Sequence, residues 1–353
     1  MTKTCIAMFV VLLAGCATPT TRGITVSAEA TKEEAGKQME LAVQDMVDEQ
    51  KRIMRVYRTL STKANSFCGD YVGPTAGFFA LPKPKGDVGQ IYEKLYGIRE
   101  QRTVLFVLEG TPAESAGIKA GDVLKSINDV NTNDVQQLEE LSATAPPDAA
   151  LKYKIERAGA PIELTVKPDR ACRYPIQLDQ QQVVNAFADG KRILVTRGMV
   201  NFVKNDNELA LVIAHELAHN TMKHIDAKTQ NMAVGVLADL AVVLLSRGQV
   251  RNSTFGQIGA GAYSQEFEAE ADYVGLYIMA NAGMPITDAP KFWRRMAAAN
   301  PSSIKTSHTA SHPSTSYRMV ALEETVKEIN AKIEKGEPLV PNMKDGKFKA
   351  PTK

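Results

Sequence analysis

The chain has 353 residues, with 42 lysine and arginine residues against 40 aspartate and glutamate residues. Its 44% hydrophobic and 23% charged residues are typical of globular proteins, which disfavours a disordered chain, a fibrous repeat and a polytopic membrane protein. A net charge of +2 leaves no surplus of basic side chains to neutralise a run of phosphates, so no nucleic-acid partner is expected. The length predicts about two to three domains.

The N-terminal residues predict export. Lys3 precedes an apolar stretch from Ile6 to Ala14, which is too short to cross a bilayer as a helix. A basic residue before a short apolar stretch is typical of a signal peptide. We therefore interpret residues 1–15 as a signal peptide that is removed on maturation.

The end of this stretch predicts a lipid anchor. Leu13-Ala14-Gly15-Cys16 resembles the lipobox of bacterial lipoproteins, in which the cysteine thiol carries the lipid. Ala17 is not acidic, and in Gram-negative lipoproteins this implies sorting to the outer membrane. We expect Cys16 to hold the protein at the bacterial outer membrane, facing the periplasm, with residues 16–31 as a tether. The alternative is an ordinary signal peptide with an incidental cysteine.

Two of the four cysteines remain after this processing. Cys5 leaves with the signal peptide and Cys16 carries the lipid, so Cys68 and Cys172 are left in an oxidising compartment. Two cysteines in such a compartment predict a disulfide between them. This disulfide would link the two ends of the segment that lies between the cysteines. Two buried free thiols are the alternative.

Residues 32–72 are predicted to be a helical segment. The part from Lys32 to Ala64 lacks proline, and its apolar residues, from Met39 to Leu60, recur at helical spacing. We expect one or two amphipathic helices that pack on a catalytic core. The polar face is not predominantly basic, which argues against a membrane surface element.

A small β-rich domain is predicted over residues 73–168, where Gly and Pro separate short apolar runs. Val104–Leu108, Thr111–Leu124 with its Gly-Asp turn, and Ile127–Asn128 together resemble a PDZ domain of the bacterial protease type. Ala158-Gly159 predicts a hairpin turn between two later strands.

The PDZ resemblance implies a groove that binds a peptide as an added strand and captures its terminal carboxylate with backbone N–H groups. Gly77-Phe78-Phe79 and Tyr96-Gly97-Ile98 are both candidates for the carboxylate-binding loop, and neither has the family's Gly-Leu-Gly-Phe form. A scaffolding or autoinhibitory domain is the alternative.

The pattern His-Glu-x-x-His occurs once, at His215, Glu216 and His219, within a segment of helix-forming composition, Asn207–His224. Side chains four residues apart lie on one face of a helix, so both imidazoles can bind one ion with the glutamate beside them. The pattern predicts two zinc ligands and a general base. A solvated helix face with coincidental spacing is the alternative.

A second helical stretch begins with Tyr263–Asp272 and ends before Gly283 and Pro285. Glu268 and Asp272 are again four residues apart and share a face. A tetrahedral catalytic zinc needs a third protein ligand, which this stretch can supply.

Together, the two motifs resemble those of the gluzincin metallopeptidases, the family that includes the CAAX prenyl protease, HtpX, Oma-type and BepA-like enzymes. The resemblance implies that His215, His219 and Glu268 bind one zinc ion per chain. It also implies that Glu216 is the catalytic base and that Asp272 orients a zinc-binding histidine.

The chain departs from the family's second motif at Gln265, where an arginine is usual. Glu266 and Glu270 do not share the register of Asp272, and we expect both to be solvated. His224 also matches the family, and we expect it to be structural.

Two further stretches extend the resemblance. Asn185–Ala188 and Arg192–Gly198 look like the family's strand pair before the first zinc helix, where an edge strand would present its backbone to an extended substrate. Ser311–Arg318 looks like the family's His-Pro…Arg segment. It implies that His312 contacts the zinc in a resting state or hydrogen-bonds the tetrahedral intermediate, with a structural loop histidine as the alternative. Arg318 is implied to pair near the acids of the second motif.

The sequence therefore predicts an α+β protein, with a mainly α-helical zincin-type catalytic domain over residues 169–334, a small edge β-sheet and an inserted PDZ domain.

The apolar run Met232–Leu245 is short for a membrane span and contains Asp239, so we expect a buried helix or a lid over the cleft. Residues 335–353 are expected to be a flexible tail.

Two functions remain open at this point. The first is a lipid-anchored zinc endopeptidase that cleaves misfolded or misassembled envelope proteins, with the PDZ domain selecting or gating the substrate. The second is a PDZ-containing binding or chaperone-like assembly factor with a latent peptidase site.

Overall fold

The computed structural model describes residues 21, 23–245, 264–299, 316–344, 346 and 348. The predicted signal peptide, the predicted lipidation site Cys16 and the predicted zinc-contact residue His312 lie outside the described residues. The chain divides into two compact units, residues 1–42 and 43–353. Its mixture of helices and strands confirms the predicted α+β class. Within the described residues, no helix has the length and hydrophobicity needed to cross a bilayer.

The described part of the first unit contains the beginning of a long helix, α1 (Ala28–Lys63). Ser27 caps this helix, because the Ala30 backbone N–H donates to the Ser27 hydroxyl over 3.1 Å. Met39 is 44% exposed, so the first residue of the predicted apolar stripe is not buried. The structure has one continuous helix where the sequence allows one or two.

In the second unit, α1 contributes to two hydrophobic clusters. Ile53 and Leu60 belong to the large core of the helical domain, which comprises the elements after residue 175. Val47 belongs to a smaller cluster with Leu105 of the β-rich domain. The helix therefore packs against both domains.

The two ends of the β-rich domain are joined in two ways. Strand β1 (Val72–Thr75) pairs antiparallel with a later strand, Asp169–Cys172, which is β8 in chain order. A disulfide links Cys68 to Cys172 across 104 residues, and this is the pair that the sequence predicts. Closing a loop of that length stabilises a fold by about 4–5 kcal/mol in the chain-entropy account.

The β-rich domain contains one six-stranded sheet and three helices. Its strands are β2 (Phe78–Leu81), β3 (Thr103–Val107), β4 (Val123–Ile127), β5 (Val130–Asn131), β6 (Leu151–Arg157) and β7 (Ala160–Val166). Its helices are α2 (Asp87–Tyr96), α3 (Pro112–Ser115) and α4 (Val135–Thr144). The strand order is β2-β3-β4-β6-β7, with β5 paired to β4, so β2 lies at one edge. Ala158 and Gly159 have positive φ angles, as the predicted hairpin between β6 and β7 requires.

The helical domain combines a three-stranded sheet with the remaining helices. Its strands are β9 (Ile176–Asp179), β10 (Ala186–Ala188) and β11 (Ile193–Thr196), in the order β10-β11-β9. Its helices are α5 (Arg197–Phe202), α6 (Asp206–Thr221), α7 (His224–Leu245), α8 (Ser264–Asn281), α9 (Ala289–Ala299) and α10 (Ser316–Lys335).

The side chain of Gln50 covers the outer edge of β9. Its Oε1 accepts the Leu178 backbone N–H over 2.9 Å, and its Nε2 donates to the Ile176 carbonyl over 3.5 Å. An amide side chain offers the same donor and acceptor groups as a neighbouring strand. Helix α1 thus covers one edge of this sheet, and β10 lies at the other edge.

The apolar run in α7 differs from its prediction. Met232, Val234 and Leu237 are 44%, 68% and 66% exposed. The prediction of a buried helix is therefore wrong for this part of α7.

The described part of the predicted flexible tail makes specific contacts. Asn281 on α8 donates a hydrogen bond to the Leu339 carbonyl over 2.7 Å, and the Asn342 backbone N–H donates to the Tyr273 hydroxyl over 2.9 Å. Further on, the Phe348 ring lies 5.2 Å from the Phe67 ring. The segment after α10 therefore packs on the helical domain, a feature that its Lys- and Pro-rich composition does not indicate.

Candidate metal centre

Helix α6, which carries the His-Glu-x-x-His pattern, has a well-defined start. The Glu208 backbone N–H donates to Asn205 Oδ1 over 2.9 Å, while the Glu208 carboxylate accepts the Lys204 backbone N–H over 2.7 Å. This arrangement resembles a capping box, except that the glutamate accepts the N–H of Lys204, the residue before the cap, rather than that of Asn205 itself. Arg295 on α9 donates two further hydrogen bonds to the same carboxylate, over 2.7 and 2.6 Å. The start of the helix, and with it the direction of each later side chain, is thereby held in place.

Helix α8 crosses α6 at a short distance where Gly275 lies. A Cβ atom at Gly275 would lie 3.2 Å from the backbone nitrogen of His215 and 3.3 Å from the carbonyl carbon of Ala214. These distances are tighter than nine in ten real Cβ contacts, and both atoms belong to the backbone. Glycine therefore permits the close approach that places Glu268 and Asp272 beside the histidines of α6.

Three donor atoms meet between these helices. His215 Nε2 lies 3.1 Å from His219 Nε2. The two oxygens of Glu268 face one nitrogen each: Oε2 lies 3.3 Å from His215 Nε2, and Oε1 lies 3.3 Å from His219 Nε2. All three side chains are buried. Donor atoms held at about 2.0–2.1 Å from a tetrahedral zinc ion lie about 3.3 Å from one another. The residues present therefore fit a tetrahedral metal ion held by two histidines and a glutamate.

Glu216, the predicted general base, lies in the same buried region. It follows His215 directly on α6 and is 2% exposed. Its charge acts on Arg318, whose guanidinium also lies 3.3 Å from the Glu268 carboxylate. A buried carboxylate is thus present on the helix that carries both histidines.

A carboxylate and a guanidinium lie behind His215. Its Nδ1 is 3.0 Å from Asp272 Oδ1, and Arg318 donates to both oxygens of Asp272 over 2.7 and 2.8 Å. Burial disfavours the charged carboxylate of Asp272, but the charge of Arg318 and the hydrogen bonds from both partners hold its pKa below the ordinary value. The charged Asp272 therefore accepts the Nδ1–H of His215, which leaves Nε2 directed at the other two donor atoms.

Trp293 on α9 is a site residue that the sequence analysis does not single out. Its ring lies 5.1 Å from the ring of His215, and the Arg318 guanidinium lies 5.4 Å from the Trp293 ring centre. The side chain is 4% exposed. It therefore packs against His215 and against the guanidinium of Arg318. A single tryptophan in an amphipathic helix ordinarily indicates core packing, so the sequence has no signal for this position.

His219 has a different partner. Its Nδ1 lies 2.9 Å from Nδ1 of His224, whose Nε2 lies 2.9 Å from an oxygen of Glu270. The Glu270 side chain is 41% exposed, in keeping with the expectation that it is solvated, but it also contacts His224, which was not predicted. Glu266 is exposed as expected, and Gln265, where the family usually has arginine, is also exposed.

The edge strand β10 lies along α6 and is fastened to it. The side chain of Asn220, near the end of α6, accepts the Gly190 backbone N–H over 2.8 Å and donates to the Arg192 carbonyl over 3.2 Å. Both groups belong to the turn between β10 and β11. The edge strand is therefore held beside the helix that carries the donor atoms.

Residues 147–326 match Peptidase family M48, and residues 103–157 match the PDZ domain family. The first match covers half of the chain. The chain belongs to peptidase family M48. The resemblance to gluzincin metallopeptidases and the PDZ resemblance drawn from the motifs are both confirmed.

Several proteins are similar to parts of this M48 chain. It is 31% identical over 166 residues to the mitochondrial metalloendopeptidase OMA1 of Schizosaccharomyces pombe, covering 46% of this chain and 49% of the relative. It is 28% identical over 137 residues to the beta-barrel assembly-enhancing protease of Yersinia pestis, covering 35% of this chain and 28% of the relative. The chain thus spans about half or less of the curated relatives that it matches.

Among solved structures, part of this chain is similar to the HtrA-type protease AlgW with decapeptide. The similarity covers 28% of this chain and 30% of the AlgW chain, with 21% sequence identity and a TM-score of 0.24.

Metal binding at this site is expected to depend strongly on pH. Burial favours the neutral ring of His215, but hydrogen bonds and charges from Asp272 and Glu268 outweigh burial and raise its pKa to about 9 in the metal-free protein. A metal ion binds only the neutral imidazole, so it must displace this proton. We expect the apparent zinc affinity to rise about tenfold per pH unit from about pH 7 to 8 and to level off above about pH 9. Competition with a chromophoric chelator at each pH measures this slope, and a flat profile contradicts the prediction.

The same proton affects the stability of the metal-free protein in the opposite direction. The folded pKa of His215 lies above the ordinary value of 6.5, so its stabilising contribution is complete below that pH. This contribution is lost as the pH rises through about 9. Metal affinity and metal-free stability should therefore change in opposite senses over this window.

The close crossing at Gly275 predicts an unusual effect of alanine in a helix. Gly275→Ala should destabilise the fold by about 1–3 kcal/mol and weaken metal binding, because α6 and α8 must move apart. The matched control is Gly36→Ala in the exposed part of α1, where a Cβ meets no atom within 4 Å. That substitution should be neutral or stabilise α1 by up to about 1 kcal/mol. Urea unfolding of both variants measures the difference, and equal stability of the two contradicts the crossing argument.

Proposed function

We propose that this protein is a zinc-dependent endopeptidase. The observation that supports this most strongly is the buried cluster of His215, His219 and Glu268, whose ligand atoms all lie within 4.8 Å of one another. Glu216 lies in the same turn of α6 as the first histidine. Membership of peptidase family M48 supports the same reaction class.

In the proposed reaction, the zinc ion and the side chains of the protein have separate roles. Bound Zn²⁺ would supply a Lewis acid that polarises a peptide carbonyl and lowers the pKa of water. Glu216 takes the proton of the attacking water and delivers it to the leaving amine. Asp272, kept charged by Arg318, holds the Nδ1–H of His215. His312 is proposed as a second hydrogen-bond donor to the oxyanion.

We further propose that an extended substrate adds to strand β10. Among the described residues, this strand lies at one end of the order β10-β11-β9 and packs beside α6, the helix that carries His215 and His219. Edge strands pair with extended segments through their backbone N–H and C=O groups. An unfolded protein segment would supply such a strand, whereas a folded protein would not.

The PDZ domain is proposed to select or gate the substrate. Its edge strand β2 borders a cavity of about 280 Å³ that is lined by Gly77 and Phe78 from this domain and by Met54 from α1. This placement favours Gly77-Phe78-Phe79 over Tyr96-Gly97-Ile98 as the loop that receives a peptide terminus.

The proposed location is the bacterial outer membrane, with the lipid on Cys16 and the peptidase in the periplasm. Quality control of misfolded or misassembled envelope proteins is the proposed role, and the name of the beta-barrel assembly-enhancing protease of Yersinia pestis supports it.

Cys16→Ser should move the protein from the membrane fraction to the soluble fraction of cells. Unchanged membrane association of the variant contradicts lipid anchoring.

The peptidase proposal is tested with the purified chain lacking residues 1–16. This protein should cleave an unfolded protein, lose that activity on chelation and recover it when stoichiometric Zn²⁺ is added. Absence of cleavage in the zinc-loaded protein, with the fold intact by circular dichroism, favours the alternative of a binding or chaperone-like assembly factor.

A further inference from the structure

The second histidine of the metal centre is the first member of a chain of three polar groups. His219 Nδ1 lies 2.9 Å from His224 Nδ1, and His224 Nε2 lies 2.9 Å from Glu270 Oε2. His219 and His224 are buried, whereas the Glu270 side chain is 41% exposed. The chain of groups thus runs from the donor atoms to the surface of the domain.

The chemistry of these groups sets the direction of each hydrogen bond. An ionised carboxylate only accepts, so Glu270 takes the Nε2–H of His224. The Nδ1 of His224 then carries a lone pair and accepts the Nδ1–H of His219. With its proton at Nδ1, His219 presents the lone pair of Nε2 to the other two donor atoms.

The turn between α6 and α7 creates this contact. In a continuous helix, residues five apart point about 140° away from each other, so His219 and His224 would not meet. Helix α6 ends at Thr221, and Lys223 has a φ of 55°, in the left-handed region. This turn redirects the chain and brings the first residue of α7 back onto the histidine ring.

Neighbouring groups hold the His224 ring in place. The Phe267 ring stacks on it at 4.8 Å with an interplanar angle of 23°. Phe267 lies next to the third donor, Glu268, on α8, so the stacked ring and the donor come from the same helical turn. The position of His224 is thereby coupled to that of Glu268.

We propose that His224 and Glu270 are positioning residues that orient His219 for metal binding. The inference rests on the proposed zinc site and goes beyond it, because it assigns a role to two residues outside the proposed set of zinc ligands. The two histidines are held differently. The buried ion pair of Asp272 and Arg318 holds His215, and the ring of His224, backed by the partly exposed carboxylate of Glu270, holds His219.

The test measures the zinc dissociation constant of the full-length chain by competition with a chromophoric chelator. His224→Leu keeps the approximate volume of the ring and removes the acceptor, and Glu270→Ala removes the outer carboxylate. Each should weaken zinc binding about tenfold or more. The control, Glu266→Ala, changes an exposed carboxylate on the same helix and should bind zinc like the parent.

Conservative variants separate positioning from packing. His224→Asn places an amide oxygen near the position of Nδ1, and Glu270→Gln keeps an oxygen that accepts the Nε2–H. Both should bind zinc within about threefold of the parent. A packing role predicts the reverse order at position 224, because asparagine is smaller than leucine. The inference fails if His224→Leu binds zinc as tightly as His224→Asn, or if Glu270→Ala binds it like the parent. If the parent itself binds no zinc, the proposed function fails with it.

Discussion

Glu216→Gln should abolish proteolysis and leave zinc binding intact. A general base contributes about 10²–10⁴-fold to the rate of a reaction of this kind, and glutamine cannot accept the proton of the attacking water. The side chain is 2% exposed and the replacement has the same shape, so the fold should be retained. Cleavage of an unfolded protein by parent and variant, with zinc content measured in both, gives the comparison.

The matched control is Glu266→Gln, which makes the same chemical change at an exposed position. It should cleave at the parental rate. Equal activity of Glu216→Gln and the parent contradicts the assignment of Glu216 as the base. In cells, a Glu216→Gln variant that loses proteolysis but retains an assembly phenotype supports a binding role for the protein.

Arg318→Met should strongly destabilise the helical domain. The guanidinium is 1% exposed and makes a two-point hydrogen bond to Asp272, whose side chain is 3% exposed. Methionine would leave this carboxylate buried without its counter-charge, which costs about 3–5 kcal/mol. The same loss should weaken zinc binding, because the pKa of Asp272 then rises and its hold on the Nδ1–H of His215 weakens. Denaturant unfolding and a zinc competition titration measure the two effects.

A double-mutant cycle shows whether this effect belongs to the pair. Adding Asp272→Asn to Arg318→Met removes the uncompensated charge, so the double variant should be more stable than Arg318→Met alone. Arg318→Lys keeps the charge and loses the two-point contact, and its stability should lie between those of the parent and Arg318→Met. Additive losses of stability in the cycle contradict the argument.

The α+β class and the family could be predicted because their signals are local in the sequence. The four-residue spacing of His215 and His219 and that of Glu268 and Asp272 are each consequences of helix geometry. The ordered run Thr111–Leu124 likewise carries its turn and strand chemistry within one short segment. Each of these patterns lies within one short segment and does not depend on contacts with other segments. The sequence alone is therefore sufficient to predict the class and the family.

The contact of Glu270 with His224 and the exposure of part of the run Met232–Leu245 escape prediction for the same reason. The register of Glu270 relates it to other residues of α8, whereas its partner, His224, lies 46 residues away on α7. The apolar composition of the α7 run indicates burial, yet burial depends on which elements pack against it. Neither property is encoded within one segment.

By itself, the sequence determined the helices that carry the donor residues, the residue types able to bind a metal and the presence of an inserted PDZ domain. Only the tertiary structure decided how closely those helices cross at Gly275, and that Trp293, Arg318 and His224 surround the two histidines. The physical reason is that helical periodicity depends on residues within one or two turns. Contacts between side chains distant in sequence instead depend on the packing of whole elements.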